Sequence, residues 1–232
     1  MMITRWDELP EEMKNDKVRR YYEILKEKRM SLILKRAFDI VVSAVMIILL
    51  SWLFFILAVA IKIDSRGPVF FRQVRVTTGN RDFRIFKFRT MVNNADKMGP
   101  TVTSGGDSRI TGVGSRIRKC RLDEIPQLFN VFKGDMTFVG IRPEVRKYVD
   151  RYTEEMMATL LLPAGITSLA SICFKDEDEI IDKYVDEGKS IDEAYTEYVL
   201  PEKMRFNLEY IEEFGFFRDI GLMFKTLVSV LK

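Results

Sequence analysis

Ile40 to Ile61, IVVSAVMIILLSWLFFILAVAI, is the longest stretch of this chain without a charged residue. At about 1.5 Å per residue its 22 residues make roughly 33 Å of helix. A bilayer core of about 30 Å could be crossed once at that length. No polar face interrupts it, which sets it apart from an ordinary core helix. Basic residues flank both ends: Arg19, Arg20, Lys26, Lys28, Arg29, Lys35 and Arg36 before it, Lys62, Arg66, Arg72, Arg75 and Arg81 after it. A single crossing gathers Lys and Arg on one side only. Charge at both ends therefore predicts a bent, re-entrant helix with both ends on the cytoplasmic side, with a straight span as the alternative. Upstream, Met13, Val18, Tyr21, Tyr22 and Leu25 recur at helical spacing behind the start signal Pro10-Glu11-Glu12. That helix either lies on the membrane, packs on the rest of the protein, or stands in solvent. The acids Asp7, Glu8, Glu11 and Glu12 and the lack of an apolar run argue against a signal peptide.

After the apolar stretch the period changes from helical to alternating. Asp64–Val76 and Arg81–Met91 alternate apolar and basic residues around Thr77–Asn80, which predicts a β-hairpin. Met91–Gly114, with Gly99-Pro100, Gly105-Gly106 and Asp107, predicts loop and short helix. Helices are expected over Ser115–Lys119, with the apolar face Ile125, Leu128, Phe129, Val131 and Phe132 just beyond the next turn, and over Pro143–Leu162. The C-terminal third is acidic and helical. There Asp176–Glu179 reads as a solvated helix start, and Phe214–Lys232 as an interfacial amphipathic helix or a core helix.

Composition narrows the chemistry. The 232 residues suffice for one domain, or one with an appendage, and a net charge of +3 does not predict nucleic acid. There is no histidine, so imidazole zinc sites and His-dependent triads are excluded. Cys120 and Cys173 lack metal-ligand spacing and read as buried or idle thiols in a reducing compartment.

Candidate chemistry concentrates in Arg116–Pro143, RIRKCRLDEIPQLFNVFKGDMTFVGIRP. Adjacent carboxylates Asp123 and Glu124 lie between Arg116, Arg118, Lys119 and Arg121 on one side and Arg142 on the other. A carboxylate can act as nucleophile or hold Mg2+, and guanidinium groups clamp phosphate oxygens. The same pair just before Pro126 also fits an ordinary helix start. LDEIPQLFNVFKGDMTFVGIRPE resembles the core signature of the bacterial sugar transferase family, the monotopic phosphoglycosyl transferases. Similar matches are Lys35-Arg36-Ala37-Phe38-Asp39, GPVFFRQVRV, FKFRTM, Asp107-Ser108-Arg109-Ile110-Thr111, Pro163–Ser168 and Tyr198–Lys203, all in family order from Lys35 to the C-terminus. The chain departs from the pattern at Trp52, where the family has a helix-bending Pro, at Ile141 in place of Pro, and at Ala164 and Ser168 in the Pro-Gly-Ile-Thr-Gly loop.

The resemblance implies an α+β, mainly helical fold: a re-entrant membrane helix hairpin over 35–62, preceded by the charged helix of 1–34. A small cytoplasmic catalytic domain over 63–232 follows, with a β-hairpin and interfacial amphipathic helices. It implies transfer of a phosphosugar from a UDP-sugar to a polyprenyl (undecaprenyl) phosphate with release of UMP, at the cytoplasmic face of the bacterial inner membrane, and allows a homodimer. Asp123 would be the nucleophile and Glu124, with Asp123, the Mg2+ ligand. Arg118, Arg142, Lys87 and Arg89 would hold phosphate. A non-catalytic module binding anionic lipid is the alternative, and the single apolar segment argues against a multi-span transferase.

Overall fold

The computed structural model describes residues 3–95, 107–174 and 177–231. The chain begins with two single turns, Trp6–Glu8 and Glu11–Met13, and then helix α1, Asp16–Glu27. The Asn15 side chain starts α1 by accepting from the Val18 N–H at 3.0 Å. The apolar stripe Val18, Tyr21, Tyr22 and Leu25 is buried and joins Leu9 and Met13 in the main core with Leu161, Tyr210 and Ile211. Of the three sequence readings the structure therefore selects packing on the domain. Tyr21 OH donates to Glu155 Oε1 at 2.9 Å and Lys28 Nζ to the Glu212 carbonyl at 2.7 Å.

Helices α2, Arg29–Leu49, and α3, Ser51–Asp64, hold the apolar stretch and are bent by 60°. Among the described residues no single helix is long and apolar enough to cross a membrane; the bent pair reaches that only in combined length and composition. The bend falls at Leu50, whose N–H reaches the Met46 carbonyl and whose carbonyl receives the Phe54 N–H, both at 2.9 Å. It forms without proline. Val41, Ile48, Leu49, Trp52, Phe55 and Ile63 face outward.

Lys35, Arg36 and Asp39 of α2 bond to the domain and fasten the helix. Lys35 Nζ donates to the Val139 carbonyl at 2.5 Å and to the Asp219 carboxylate. Arg36 reaches the Val131 and Phe132 carbonyls at 2.7 and 2.9 Å. Asp39 accepts from Thr137 Oγ1 at 2.8 Å and from the Phe138 N–H at 3.2 Å. Positions 35, 36 and 39 share one helix face, so this is where the bent pair docks on the domain.

Strands β1, Phe70–Thr77, and β2, Arg81–Phe88, pair antiparallel around Gly79 and Asn80, both at positive φ. The hairpin is shorter than the alternation suggested, because Gly67, at φ 135°, and Pro68 delay pairing until Phe70. Register puts Phe71, Gln73 and Arg75 on the same face as Phe83, Ile85 and Lys87. Phe83 and Ile85 pack on Val131, Met136 and Ala164, so this face meets the domain.

Helix α4, Gly112–Lys119, and helix α5, Gln127–Lys133, flank the acidic pair. On α5 Leu128 and Val131 are buried but Phe132 is 47% exposed, so the expected apolar face loses that residue. Strand β3, Met136–Val139, runs parallel to β4, Ala164–Thr167, where the sequence pattern suggested only a loop. The long helix expected over 143–162 does not form. Residues 143–145 are extended, with the Glu144 carbonyl bonded to the Val76 N–H at 3.0 Å. The short α6, Arg146–Val149, and a 3-10 turn over Met156–Leu161 follow. Leu160, Leu161 and Leu162 are all buried, and three consecutive inward residues do not fit one helix stripe.

The C-terminal third comprises α7, Leu169–Cys173; α8, Glu177–Asp186; α9, Ile191–Ala194; and a π turn, Tyr195–Val199. Helices α10, Leu200–Glu212, and α11, Phe216–Leu231, complete it. Helix α11 turns Asp219 and Leu222 inward and leaves Phe217, Phe224 and Val228 exposed. The Gly99-Pro100 and Gly105-Gly106 signals, and Asp176, lie outside the described residues.

Candidate active site

The carboxylate pair sits on a tight turn between two helices rather than on a solvated helix end. Helix α4 stops at Cys120, and Arg121 takes a left-handed conformation, φ 55°, uncommon for a residue with a Cβ. One 3-10 turn, Leu122–Glu124, then leads through Pro126 into α5. This reversal turns both acids inward: Asp123 is 9% exposed and the Glu124 side chain 13%.

Glu124 is neutralised from two directions. Lys87, at the end of the inner face of β2, donates to Oε1 at 2.8 Å, and Arg142 Nη2 reaches the same oxygen at 3.3 Å. Burial alone would raise this acid, but Arg142 and Lys87 outweigh burial and hold it at about 2. Asp123 is the opposite case. Burial and the neighbouring Glu124 charge push its carboxyl above the ordinary aspartate value, with Lys87 and Arg118 offsetting part of the rise. Arg118, on the last turn of α4, acts on Asp123 through its charge and donates no hydrogen bond to it among the described residues.

Arg142 is placed by a close backbone approach. A Cβ on Gly165 would lie 2.4 Å from the Gly140 nitrogen, so β3 and β4 converge there only because both positions are glycine. The Gly165 N–H bonds the Ile141 carbonyl at 2.8 Å, and Arg142 follows directly. The structure thus brings Asp123, Glu124, Lys87, Arg118 and Arg142 together. It does not bring Arg89, whose side chain is buried against the end of α3.

Four further residues frame the same loop and were missed from sequence. Arg75 Nη1 donates to the Pro143 carbonyl at 3.1 Å, and its Nη2 to Gln73 Oε1 at 2.8 Å. Tyr195 OH donates to Glu144 Oε1 at 2.6 Å, and Lys203 Nζ lies 3.3 Å from that oxygen and 2.9 Å from Tyr195 OH. Strand period two could have put Arg75 on the same face as Lys87, opposite Phe83. Glu144, Tyr195 and Lys203 come together only through the tertiary fold. Asp107 pairs with Arg109, which holds that carboxyl at about 2, and takes no part in the pair's hydrogen bonding.

Among the described residues no cluster of three acidic or thiol side chains converges as a metal cage. The donor set instead suits a hard cation held by one or two carboxylates and completed by phosphate and water. Both cationic partners of Glu124 use Oε1, which leaves Oε2 for such an ion. One low carboxylate within a ring of cations, beside a second raised by burial, can bind a diphosphate and present a nucleophile to it.

Residues 30–232 match the family described as bacterial sugar transferase. One relative is the UDP-N-acetylgalactosamine-undecaprenyl-phosphate N-acetylgalactosaminephosphotransferase of Aeromonas hydrophila, 39% identical over 201 residues, covering 85% of this chain and 44% of that protein. The undecaprenyl-phosphate glucose phosphotransferase of Komagataeibacter xylinus is 36% identical over 200 residues, 83% of this chain and 35% of its own length. The UDP-glucose:undecaprenyl-phosphate glucose-1-phosphate transferase of Caulobacter vibrioides is 33% identical over 203 residues, 85% of this chain and 69% of its own. The chain therefore spans less than half the length of the first two.

Proposed function

The chain belongs to the bacterial sugar transferase family, and from that premise we propose that it moves a phosphosugar from a UDP-sugar to polyprenyl phosphate in a lipid bilayer, releasing UMP. The observation that carries this reading is the split character of the pair. Glu124 is ionised and tied to Lys87 and Arg142, while Asp123 is desolvated and raised. Two carboxylates pushed apart by their surroundings suit two roles.

Asp123 attacks the sugar-proximal phosphorus. A carboxylate oxygen to phosphorus bond forms, the phosphoanhydride bond breaks, and its electron pair leaves with UMP. A phosphate oxygen of the lipid acceptor then attacks the same phosphorus and frees the carboxylate, giving a polyprenyl diphosphosugar. Two covalent steps let a soluble donor and a lipid-held acceptor use the site in turn. Lys87, Arg118 and Arg142 neutralise the charge that develops on the phosphoryl oxygens. Glu124, with Asp123, would hold Mg2+, which when bound lowers the negative charge of the diphosphate. The reaction stands as the first membrane step of polysaccharide or glycoconjugate assembly at the cytoplasmic face of the bacterial inner membrane.

The test is intact-protein mass spectrometry of the detergent-purified chain with Mg2+ and a panel of UDP-sugars, without acceptor. The relatives' names differ between N-acetylgalactosamine and glucose, so the panel holds both. A mass gain of one phosphosugar, absent in Asp123→Asn, is the expected result. No gain with any donor, with UMP formed only once polyprenyl phosphate is added, would replace the covalent route by direct transfer. No UMP under any condition would favour the lipid-binding module.

A further inference from the structure

Arg89 was expected beside Lys87 at the phosphates, but the fold uses it elsewhere. Strand β2 ends at Phe88, and the Arg89 N–H continues the ladder to the Val69 carbonyl at 2.9 Å. Its side chain, in a residue only 5% exposed, turns to the last turn of α3. There one nitrogen, Nη2, donates to the Ser65 carbonyl at 2.6 Å, Ser65 Oγ at 2.8 Å and the Ile61 carbonyl at 3.3 Å. A cation on the final carbonyls of a helix is favourable. Nε and Nη1 are buried without a hydrogen-bond partner among the described residues. Room for the group exists because residue 67 is glycine: a Cβ there would lie 2.2 Å from Nη1.

The same turn holds a second tie. Asp64 Oδ2 accepts the Val113 N–H at 3.0 Å, in the first turn of α4, beside the Thr111 hydroxyl that accepts from Gly114 at 3.0 Å. Helix α4 carries Arg118 at its other end and leads straight to Asp123. One turn of the bent pair, 61–65, is therefore bonded to both arms of the site: to β2 two residues from Lys87, and to α4 ahead of Arg118.

We propose that Arg89 and Asp64 are positioning residues, fastening the end of the membrane-directed helix pair to the strand that carries Lys87 and the helix that carries Arg118, so that the seated pair sets how these cations face Glu124 and Asp123. This rests on the phosphoglycosyl transfer reading above. Neither residue touches the carboxylates. Their effect is on the placement of groups that do, and a misplacement of about 1 Å can cost roughly 100-fold in rate.

The experiment uses the full chain in lipid nanodiscs, with kcat and KM measured for the UDP-sugar and for polyprenyl phosphate, and a thermal unfolding midpoint for each variant. Arg89→Gln is expected to lower kcat by about 100-fold with both KM values nearly unchanged and the midpoint close to wild type. Arg89→Lys should restore most of kcat, since all three bonds come from one nitrogen and an ammonium can replace it. Gly67→Ala, which drives a Cβ into Nη1 without removing a charge, should lower kcat as Arg89→Gln does, with a lower midpoint as well because a Cβ at φ 135° strains the backbone. Asp64→Ala should lower kcat in the same way with both KM values nearly unchanged. An unchanged kcat in Arg89→Gln, a lysine variant as slow as the glutamine one, a rise in acceptor KM at constant kcat, or a rate loss that follows the unfolded fraction would each overturn the proposal. Wild-type chain inactive with every donor would instead overturn the transfer reading on which it rests.

Discussion

Asp123 and Glu124 are sequence neighbours with opposite surroundings, and their substitutions should separate. Asp123→Asn keeps the size of the side chain and removes the nucleophile, so turnover should fall by at least about 1,000-fold while the fold persists. Glu124→Gln leaves Lys87 and Arg142 without their shared anion. A loss of about 100-fold in kcat/KM is expected, together with a higher Mg2+ requirement, measured by titrating the ion at fixed donor. Tyr21 makes a third case, in which the readout is stability. Burial first, and then its bond to Glu155, push the phenol up to about 12. A group raised in the folded state stabilises fully below its unfolded value near 10 and loses that contribution as pH rises towards 12. Thermal midpoints should therefore fall between pH 10 and 12, and Tyr21→Phe should flatten that fall.

At the scale of elements, the determinants are the contacts that place whole segments. Lys35 and Asp219 form a buried pair joining α2 to α11, with Tyr210 OH donating to Asp219 Oδ1 at 2.8 Å. Removing one partner by Lys35→Met leaves a buried carboxylate and should cost about 3–5 kcal/mol, whereas adding Asp219→Leu should return much of it. Chemical denaturation of the wild type and these two variants in detergent measures both. The convergence of β3 and β4 is as exacting: Gly165→Ala should cost about 1–3 kcal/mol through overpacking and displace Arg142, so activity should fall more than stability. Sequence pattern located the apolar pair, the hairpin and the acidic turn because each is a local signal of period or charge. It missed β3 and β4 because four-residue parallel strands carry too short a pattern, and their partner lies far along the chain. It read Phe132 as inward because residue 132 lies on the helical stripe of Ile125, Leu128 and Phe129, whereas the folded helix leaves it exposed, and it left Tyr195 and Lys203 unassigned because Glu144 reaches them only in the folded chain. The Lys35-Arg36-Asp39 positions were legible as a resemblance, but their docking role needed coordinates.

For the molecule as a whole, the shape of α2 and α3 decides how deep a membrane segment can go. Only the apolar arms, Ile40–Leu49 and Ser51–Ile61, are free of charge, and each is about 15 Å long at roughly 1.5 Å per residue. A 60° bend leaves an angle of about 120° between them, so a symmetric V with arms of that length reaches about 8 Å below its ends. A hydrocarbon core is about 30 Å thick. Placed in a bilayer, such a V would stay within one leaflet, with the exposed Lys62 and Arg66 near its headgroups, where each is worth about 1 kcal/mol on an anionic surface, while Lys35 and Arg36 stay bonded to the domain. Phe217 and Phe224 of α11 offer further exposed apolar surface. Trp52, exposed just past the bend, reports depth; the other tryptophan, Trp6, packs against Tyr22 and is replaced by Phe for the measurement. Emission from Trp52 should be quenched most by lipids brominated at shallow acyl positions and little by those brominated near the bilayer midplane. In sealed vesicles, cysteines introduced at Ser31 and Arg66 should react with an impermeant maleimide together or be protected together, in a background lacking Cys120 and Cys173. Labelling at one site with protection at the other would mean that the pair straightens and crosses, and the one-leaflet arrangement would be abandoned.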